Sequence, residues 1–509
     1  MDRPVLAAID LGAHSARMLI AQCGPKPGKI SILEDLDISV PLGSNVFHTG
    51  SVGGETIRLL CDVFRGFRLK MEEYGVSAYR AIATSAVREA ADAEILLERI
   101  CHETGFRLQI YEGADEARLN YIAVTNEVPE KFGFRRKKAM IADIGTGACQ
   151  ISTYDKGSMS FTETLKLGTM RILELIPGAV SVTIFREYLT PVIDKAFSEL
   201  RHSGADLRSE LLVATGSTVR MLFRIYAENS GLKQALRTHR ITRTEFENMR
   251  SGLENFSIRD IAGKFSIPAE LAEAVMPCAI ILDNLFRLTG AKDLIIPMSP
   301  LKKSLMYDFS NEILAGRNTF EEQTMGMVRK TSLKYYGDSS YFERVLECAE
   351  TLFRKLKDLH GLGSRELLLL KIAAIMHKAG LFINNQGYHK HSAYIVMATE
   401  IPGISLEERK IAAFTVRYQR KSPPRPQHTD FQALPAQDRN TVMKLSAILR
   451  IAIILTLRNI APGRIRIKTE PGKVLILTDA ARIFPEQAAV LSADLDYFSY
   501  VFAVQAILQ

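Results

Sequence analysis

The sequence predicts an α/β chain built on a duplicated domain, then a helical domain and a small α/β appendage. Three observations carry this. An apolar strand runs into an aspartate and a glycine turn twice, as AAIDLGAHS at 7–15 and as IADIGTGACQ at 141–150. Strand and helix patterns alternate around both copies. From about residue 321 to 457, helical periodicity replaces the strands. If the two halves face each other, Asp10 and Asp143 meet across a cleft with two sets of backbone amides, as a metal-bound phosphate chain requires.

Each element follows in order. Short strands are expected over 5–9, 16–22, 30–33 and 36–40, with turns at Gly12 and at 24–28. Residues 55–71 place Ile57, Leu60, Phe64 and Phe67 at helical spacing, an amphipathic helix for that sheet. A strand over 79–83 leads into TSAVREA at 84–90, where Thr84 or Ser85 caps a short helix and Arg88 projects from it. A strand over 106–111 ends in EGADEARL at 112–119. This puts Asp115 and Glu116 in a first helical turn, where negative charge is favoured in any helix. Their place at a strand end of an α/β domain, where ligands bind, favours a role beyond capping.

The second half repeats the plan with strands over 137–143, 150–154 and 159–165, then helices over 169–175 and 182–201, the latter kinked or divided at Pro191. A strand over 210–213 opens into ATGSTVRML at 214–222, a third phosphate-type turn at Gly216 and Ser217. A buried helix over 270–288, a strand over 294–297 and a helix over 299–314 close this half. The helical part is interrupted by SPPRPQ at 422–427. The end is mixed: strands over 464–469 and 473–478 about a turn at Pro471 and Gly472, a segment over 484–491, and a last helix over 497–508.

At 509 residues the chain is too long for one core and suits three or four domains. Its 47% hydrophobic and 24% charged composition is that of a globular protein. Six cysteines without C-x-x-C spacing indicate neither a disulfide framework nor a zinc site and fit a reducing, cytoplasmic setting. No signal-peptide core is expected, and no apolar run reaches the roughly 20 residues of a membrane span. The formal charge of +8 has one source: residues 351–450 hold 16 Lys and Arg against 7 Asp and Glu. Such a region draws polyanions.

DLGAHS, TSAVREA, GADEARL, DIGTGACQ and TGST stand in the order of the exopolyphosphatase and guanosine pentaphosphate phosphohydrolase family, which the chain resembles over essentially its whole length. MHKAGLFINNQGYHKHSAYIV at 376–396 and RYQRK at 417–421 are similar to its long, HD-domain-bearing branch. The resemblance implies duplicated actin-like domains of the ribonuclease H-like, sugar kinase/Hsp70/actin superfamily at 1–125 and 126–305, an all-α HD-like domain at 306–460, and a small α/β domain at 461–509.

It also implies hydrolysis of the terminal phosphate from inorganic polyphosphate, or from guanosine pentaphosphate, with Mg²⁺, in a cytoplasmic homodimer that binds no membrane and no specific nucleic acid. Carried over by position, Glu116 is the catalytic glutamate and Arg88 the arginine that grips phosphate. Gly12, Ala13, His14 and Ser15, with Gly145, Thr146, Gly147, Gly216 and Ser217, cradle phosphate. Asp10, Asp143 and Gln150 stand on the metal side. His389, Lys390, His391, Arg417, Arg420 and Lys421 are expected to line a basic groove holding a long polyanion.

The chain departs from the family's pattern at Ala13 and His14, where Ser and Asn are usual, and at Thr146, Ala148, Cys149 and Gln150 in the second loop. Gln150 puts a neutral amide where magnesium prefers an anionic oxygen. A lost transition-state donor commonly costs about 10²–10³ in rate, so a weakly catalytic polyphosphate or nucleotide sensor is the competing reading. Lys302 and Lys303 replace the family's Arg-Glu, and Lys378 follows His377 where an HD pair has its acid.

Overall fold

The structure is a computed structural model. It describes residues 3–509 except 26–27, 175–181, 203–205, 230–237, 254–255, 266, 268, 299, 316–319 and 479–484. The chain divides into two compact units, Met1–Phe320 and Glu321–Gln509.

The first unit holds two sheets of one plan. In the first, β1 (Val5–Leu11), β2 (Ser15–Cys23) and β3 (Ile30–Ser39) form an antiparallel meander. β4 (Ala78–Ala83) pairs parallel with β1, and β5 (Leu108–Ile110) with β4, giving the order β3-β2-β1-β4-β5. In the second, β6 (Lys138–Ile144), β7 (Cys149–Asp155) and β8 (Ser158–Leu165) form the same meander. β9 (Leu211–Thr215) pairs parallel with β6. β10 (Thr238–Thr242) then forms the edge beyond β11 (Asp293–Pro297), for an order β8-β7-β6-β9-β11-β10. The repeated order is the duplication expected from the two Asp-Gly turns. β1 and β6 read as continuous apolar runs because they sit mid-sheet and are covered on both faces.

Helices supply that cover. Around the first sheet run α1 (Leu42–Thr49), α2 (Gly54–Glu73), α3 (Ser85–Glu89) and α4 (Ala93–Thr104). Ala7, Ile9 and Leu11 pack with Leu60, Phe64 and Phe67 of α2 on one face, as the alternation of a strand requires. α5 (Gly113–Glu127) serves both sheets: its Leu119 and Ile122 join the core on Leu6 and Ala8, while Ala117 and Val124 pack with Ala139 and Ile141. The N-terminus of α5 therefore opens where the two halves meet. The second sheet carries α6 (Thr169–Glu174), α7 (Val182–His202), α8 (Ser217–Asn229), α9 (Arg243–Leu253), α10 (Ile258–Lys264) and α11 (Ala269–Thr289). α12 (Leu301–Ala315) returns to the first sheet through Leu305, Met306 and Phe309.

In the second unit, α13 (Glu321–Tyr335), α14 (Ser339–Lys355), α15 (Lys357–His360), α16 (Ser364–Met376), α17 (Tyr388–Ala398), α18 (Leu406–Arg417), α19 (Thr429–Gln432) and α20 (Ala436–Leu457) precede β12 (Arg466–Glu470) and β13 (Lys473–Leu477). α21 (Pro485–Phe502) and β14 (Gln505–Leu508) complete it. One core joins α14, α16, α18 and α20 to Val474, Ile476 and Phe498.

Several expectations are corrected. The boundary placed at 305/306 falls inside α12, and the division comes at Phe320. The 461–509 segment shares the helical core and is not a separate unit. α7 runs through Pro191 without a break. The last helix ends at Phe502, and Gln505–Leu508 is a strand parallel to β13. Residues 484, 299 and 175 of the expected segments lie outside the described residues. α20 is long and apolar enough to cross a membrane by length and composition, contrary to the sequence reading. Its apolar face is buried by the unit's own helices, and its buried Arg450 pairs with Asp494 at 2.8 Å.

Candidate active site

Local backbone chemistry builds the site in duplicate. The hairpin turn after β1 closes with the Gly12 amide donating to the Ser15 carbonyl at 3.0 Å, and the turn after β6 closes with Gly145 donating to Ala148 at 2.9 Å. In each turn the carbonyls are tied from outside. Gly43 and Val40 donate to the carbonyls of Ala13 and His14, at 2.6 and 2.9 Å. Thr169 and Met170 donate to those of Gly145 and Thr146, at 3.1 and 3.0 Å. In a planar trans peptide the next N–H points opposite the carbonyl. The amides of His14 and Ser15, and of Thr146 and Gly147, are thus turned away from those ties, the arrangement of an anion nest.

The third turn joins β9 to α8. Gly216 has φ +119°, and a Cβ there would lie 2.3 Å from the Ile144 carbonyl oxygen, so only glycine fits the close approach to β6. Ser217 then starts α8 with its first-turn amides available to an anion.

These turns and the N-terminus of α5 converge on one cleft of about 90 Å³. Asp10, Gly12, Ala13, His14, Glu116, Asp143, Gly145, Thr146, Gly147, Gln150, Gly216 and Ser217 all line it. Ser15 and Arg88 do not. Ser15 is buried in β2, and Arg88 donates to Glu116 Oε1 at 3.0 Å and to the Tyr111 carbonyl. Through Nη1, Arg88 thus holds the glutamate that lines the cleft. Asp115 is taken by the helix cap, accepting from the Glu112 amide at 3.3 Å, which leaves Glu116 as the acid of the pair that reaches the cleft.

Burial pushes the Glu116 carboxyl up to about 7, with the charges of Asp143 and Asp10 adding to the rise and Arg88 opposing it. Burial likewise raises Asp10, against the pull of Arg17, whose Nη1 lies 3.4 Å from Asp10 Oδ2. Thr215 donates to Asp143 Oδ1 at 2.7 Å.

Two charged cleft residues escaped the sequence reading. Arg17 faces Asp10 across the β1–β2 ladder, and Arg220 lies one turn into α8 beyond Ser217. Burial, then the Arg17 charge, pushes the Arg220 guanidinium down to about 10. Period-2 spacing from Ser15 and i,i+3 spacing from Ser217 were signals available in the sequence. Asn120 and Ser304 also line the cleft, and the Asn120 Nδ2, Ser304 Oγ and Asp10 Oδ1 atoms are buried without a hydrogen-bond partner among the described residues.

Asp10 and Asp143 fit a magnesium ion, which takes one or two carboxylates together with phosphate and water oxygens. Asp10 Oδ1, buried without a hydrogen-bond partner among the described residues, is the atom such an ion would take. Gln150, expected beside them, does not fit. Its amide nitrogen donates to Thr162 Oγ1 and the Ile151 carbonyl, and its oxygen accepts from Ser152. Lys302 and Lys303 are braces: the first binds Asp35 and the Leu36 carbonyl, the second Glu127 at 2.6 Å.

In the second unit, His389, Lys390, His391, Arg417 and Lys421 line one cavity of about 410 Å³, with Tyr418, Ser422 and His428 and without a carboxylate among its lining residues. Arg420, expected with them, instead lies over the Tyr388 ring at 4.7 Å. Burial, then the surrounding Arg and Lys charges, pushes His389 down to about 4, so it is neutral near pH 7. His377 is fully buried, its Nδ1 2.7 Å from the Ala374 carbonyl, and the Lys378 ammonium sits 3.7 Å above the Tyr341 ring.

Comparison with known proteins gives one family. The Ppx/GppA phosphatase family matches residues 20–311, and Ppx/GppA phosphatase, domain III, matches 325–487. The guanosine-5'-triphosphate,3'-diphosphate pyrophosphatase of Aliivibrio fischeri strain ES114 is 24% identical over 90% of this chain and 88% of its own length. That of Vibrio atlanticus strain LGP32 is 23% identical over 89% and 87%. Among solved structures, the Aquifex aeolicus Ppx/GppA family member is 19% identical with a TM-score of 0.52, over 62% of this chain and 99% of that one. An exopolyphosphatase from Cytophaga hutchinsonii is 19% identical with a TM-score of 0.54, over 60% and 98%.

Proposed function

The chain belongs to the Ppx/GppA phosphatase family, and on that footing we propose that its cleft is an exopolyphosphatase site, releasing terminal phosphate from inorganic polyphosphate. The observation that carries this is the convergence of Glu116, Arg17, Arg220 and the paired backbone turns on one cleft. Its described lining holds no Phe, Tyr or Trp, and the backbone turns with Arg17 and Arg220 offer phosphate recognition.

Phosphoryl transfer leaves little covalent work to the protein, which positions water and neutralises phosphate oxygens. Glu116, held by Arg88, takes the proton of the attacking water. The water oxygen bonds to the terminal phosphorus as the bond to the bridging oxygen breaks, and the shortened chain leaves as a phosphate anion. The loop amides donate to the equatorial oxygens, and Arg17 and Arg220 offset their charge. Magnesium, when bound by Asp10 and Asp143, supplies charge neutralisation. The basic cavity of the second unit is proposed to hold polyanion, and the protein to act as a cytoplasmic homodimer.

Guanosine pentaphosphate is the second reading, favoured by the names of the curated relatives. Phosphate release with Mg²⁺ from long-chain polyphosphate and from guanosine pentaphosphate separates the two. Glu116→Gln is expected to lower release by about 10²–10⁴-fold, the usual span for a lost general base. Wild-type release no greater than that of the variant would favour the sensor reading.

A further inference from the structure

Arg171, on α6 of the second half, makes three contacts that meet at the second phosphate loop. Its Nε donates to the Gly147 carbonyl at 2.9 Å, and its Nη2 reaches both oxygens of Glu89, at 2.7 and 2.8 Å. Its guanidinium lies 4.4 Å over the Phe47 ring. Glu89 belongs to α3 and Phe47 to α1, both of the first half.

The Gly147 contact completes a series. Backbone amides of α6 already hold the Gly145 and Thr146 carbonyls, and Arg171 holds the next one. With Gly147 fixed, the Ala148 N–H points the opposite way, extending the nest to three consecutive amides. The fit is close: a Cβ at Gly168 would lie 2.2 Å from the Thr146 oxygen. The corresponding turn of the first half is tied by backbone amides of Val40 and Gly43. α3 adds a second connection, since Arg88, beside Glu89 in sequence, holds Glu116.

We propose that Arg171 is a positioning residue for phosphoryl transfer, fixing the amides of 146–148 and, through Glu89 and Phe47, setting that loop against the half whose α3 holds Glu116. The inference rests on reading the cleft as the phosphoryl-transfer site. A part-exposed ion pair contributes little to stability. The consequence of removing it therefore falls on turnover: misplacing reacting groups by about 1 Å can cost 10²-fold.

The test uses the full chain with Mg²⁺ and long-chain polyphosphate, comparing Arg171→Ala, Arg171→Lys, Glu89→Gln and the Arg171→Ala/Glu89→Gln pair. Arg171→Ala is expected to lower kcat about 10- to 100-fold with KM changed less. Lysine is expected not to restore it, lacking the planar fork. The double variant is expected to match Arg171→Ala, because residues acting through one link do not add. Independently of substrate, amide exchange at Thr169 and Met170, whose N–H groups hold the Gly145 and Thr146 carbonyls, is expected to quicken in Arg171→Ala while β6 and β7 keep their protection. Wild-type kcat and exchange in Arg171→Ala would overturn the proposal, and multiplied losses in the double variant would overturn the link between the halves. Absence of wild-type phosphate release would instead overturn the proposed activity, with the exchange arm still deciding whether Arg171 fixes the loop.

Discussion

Glu116 is where the chemistry is most exposed to test. Its carboxyl sits at about 7 because burial disfavours the anion. A general base works deprotonated, so kcat/KM is expected to fall tenfold per unit as pH drops below about 7 and to level off above it. Arg88 opposes the rise by charge and hydrogen bond, so Arg88→Met is expected to move this limb to higher pH. A pH–rate profile of the two proteins checks both statements; an acid limb near the ordinary carboxyl value of about 4.3 would contradict them. The family resemblance singled out Glu116; from a glycine turn and a helix start, only the pair of acids was legible. The role of Arg88 was not. Sequence places it in the right helix, but only the fold shows its Nη1 donating to Glu116 and to the Tyr111 carbonyl. Gln150 is similar, since its amide is consumed by Thr162 and Ser152 on strands whose pairing the sequence does not print.

The turns read well as elements, because each couples an apolar strand to glycine at a position the backbone constrains. Gly216→Ala tests this directly. With φ +119° and Ile144 O in the path of a Cβ, alanine is expected to destabilise the first unit by about 1–3 kcal/mol, seen as a lower denaturant midpoint at constant m-value. Elements without their own periodicity were missed. α1 and β10 are short, and β10 exists by pairing with β11. β14 looked helical because its residues continue the apolar pattern of α21. Its extension depends on β13, some thirty residues earlier in the chain.

For the whole molecule, the repeated order β3-β2-β1-β4-β5 and β8-β7-β6-β9-β11 is what two similar motifs foretold, whereas the division at Phe320 was hidden by α12 folding back on the first sheet. The second unit depends on a buried pair that composition does not reveal. Arg450 binds Asp494 and the carbonyls of Tyr418 and Lys421, the backbone beside the basic cavity. Asp494→Ala strands a buried charge and is expected to cost that unit about 3–5 kcal/mol, read as a lower unfolding midpoint for its helices. Charge reversal at Arg417 and Lys421 is expected to weaken preference for long polyphosphate over short chains, and an unchanged preference would remove the cavity from the account. The cleft of the first unit is expected to take a terminal phosphate. The most direct measurement is a crystal structure of Glu116→Gln with a short polyphosphate chain and Mg²⁺. The expected terminal phosphate lies against the amides of 146–148, within hydrogen-bond reach of Arg17 or Arg220. Polyphosphate bound elsewhere, with Asp10, Asp143 and these amides facing solvent alone, would contradict it.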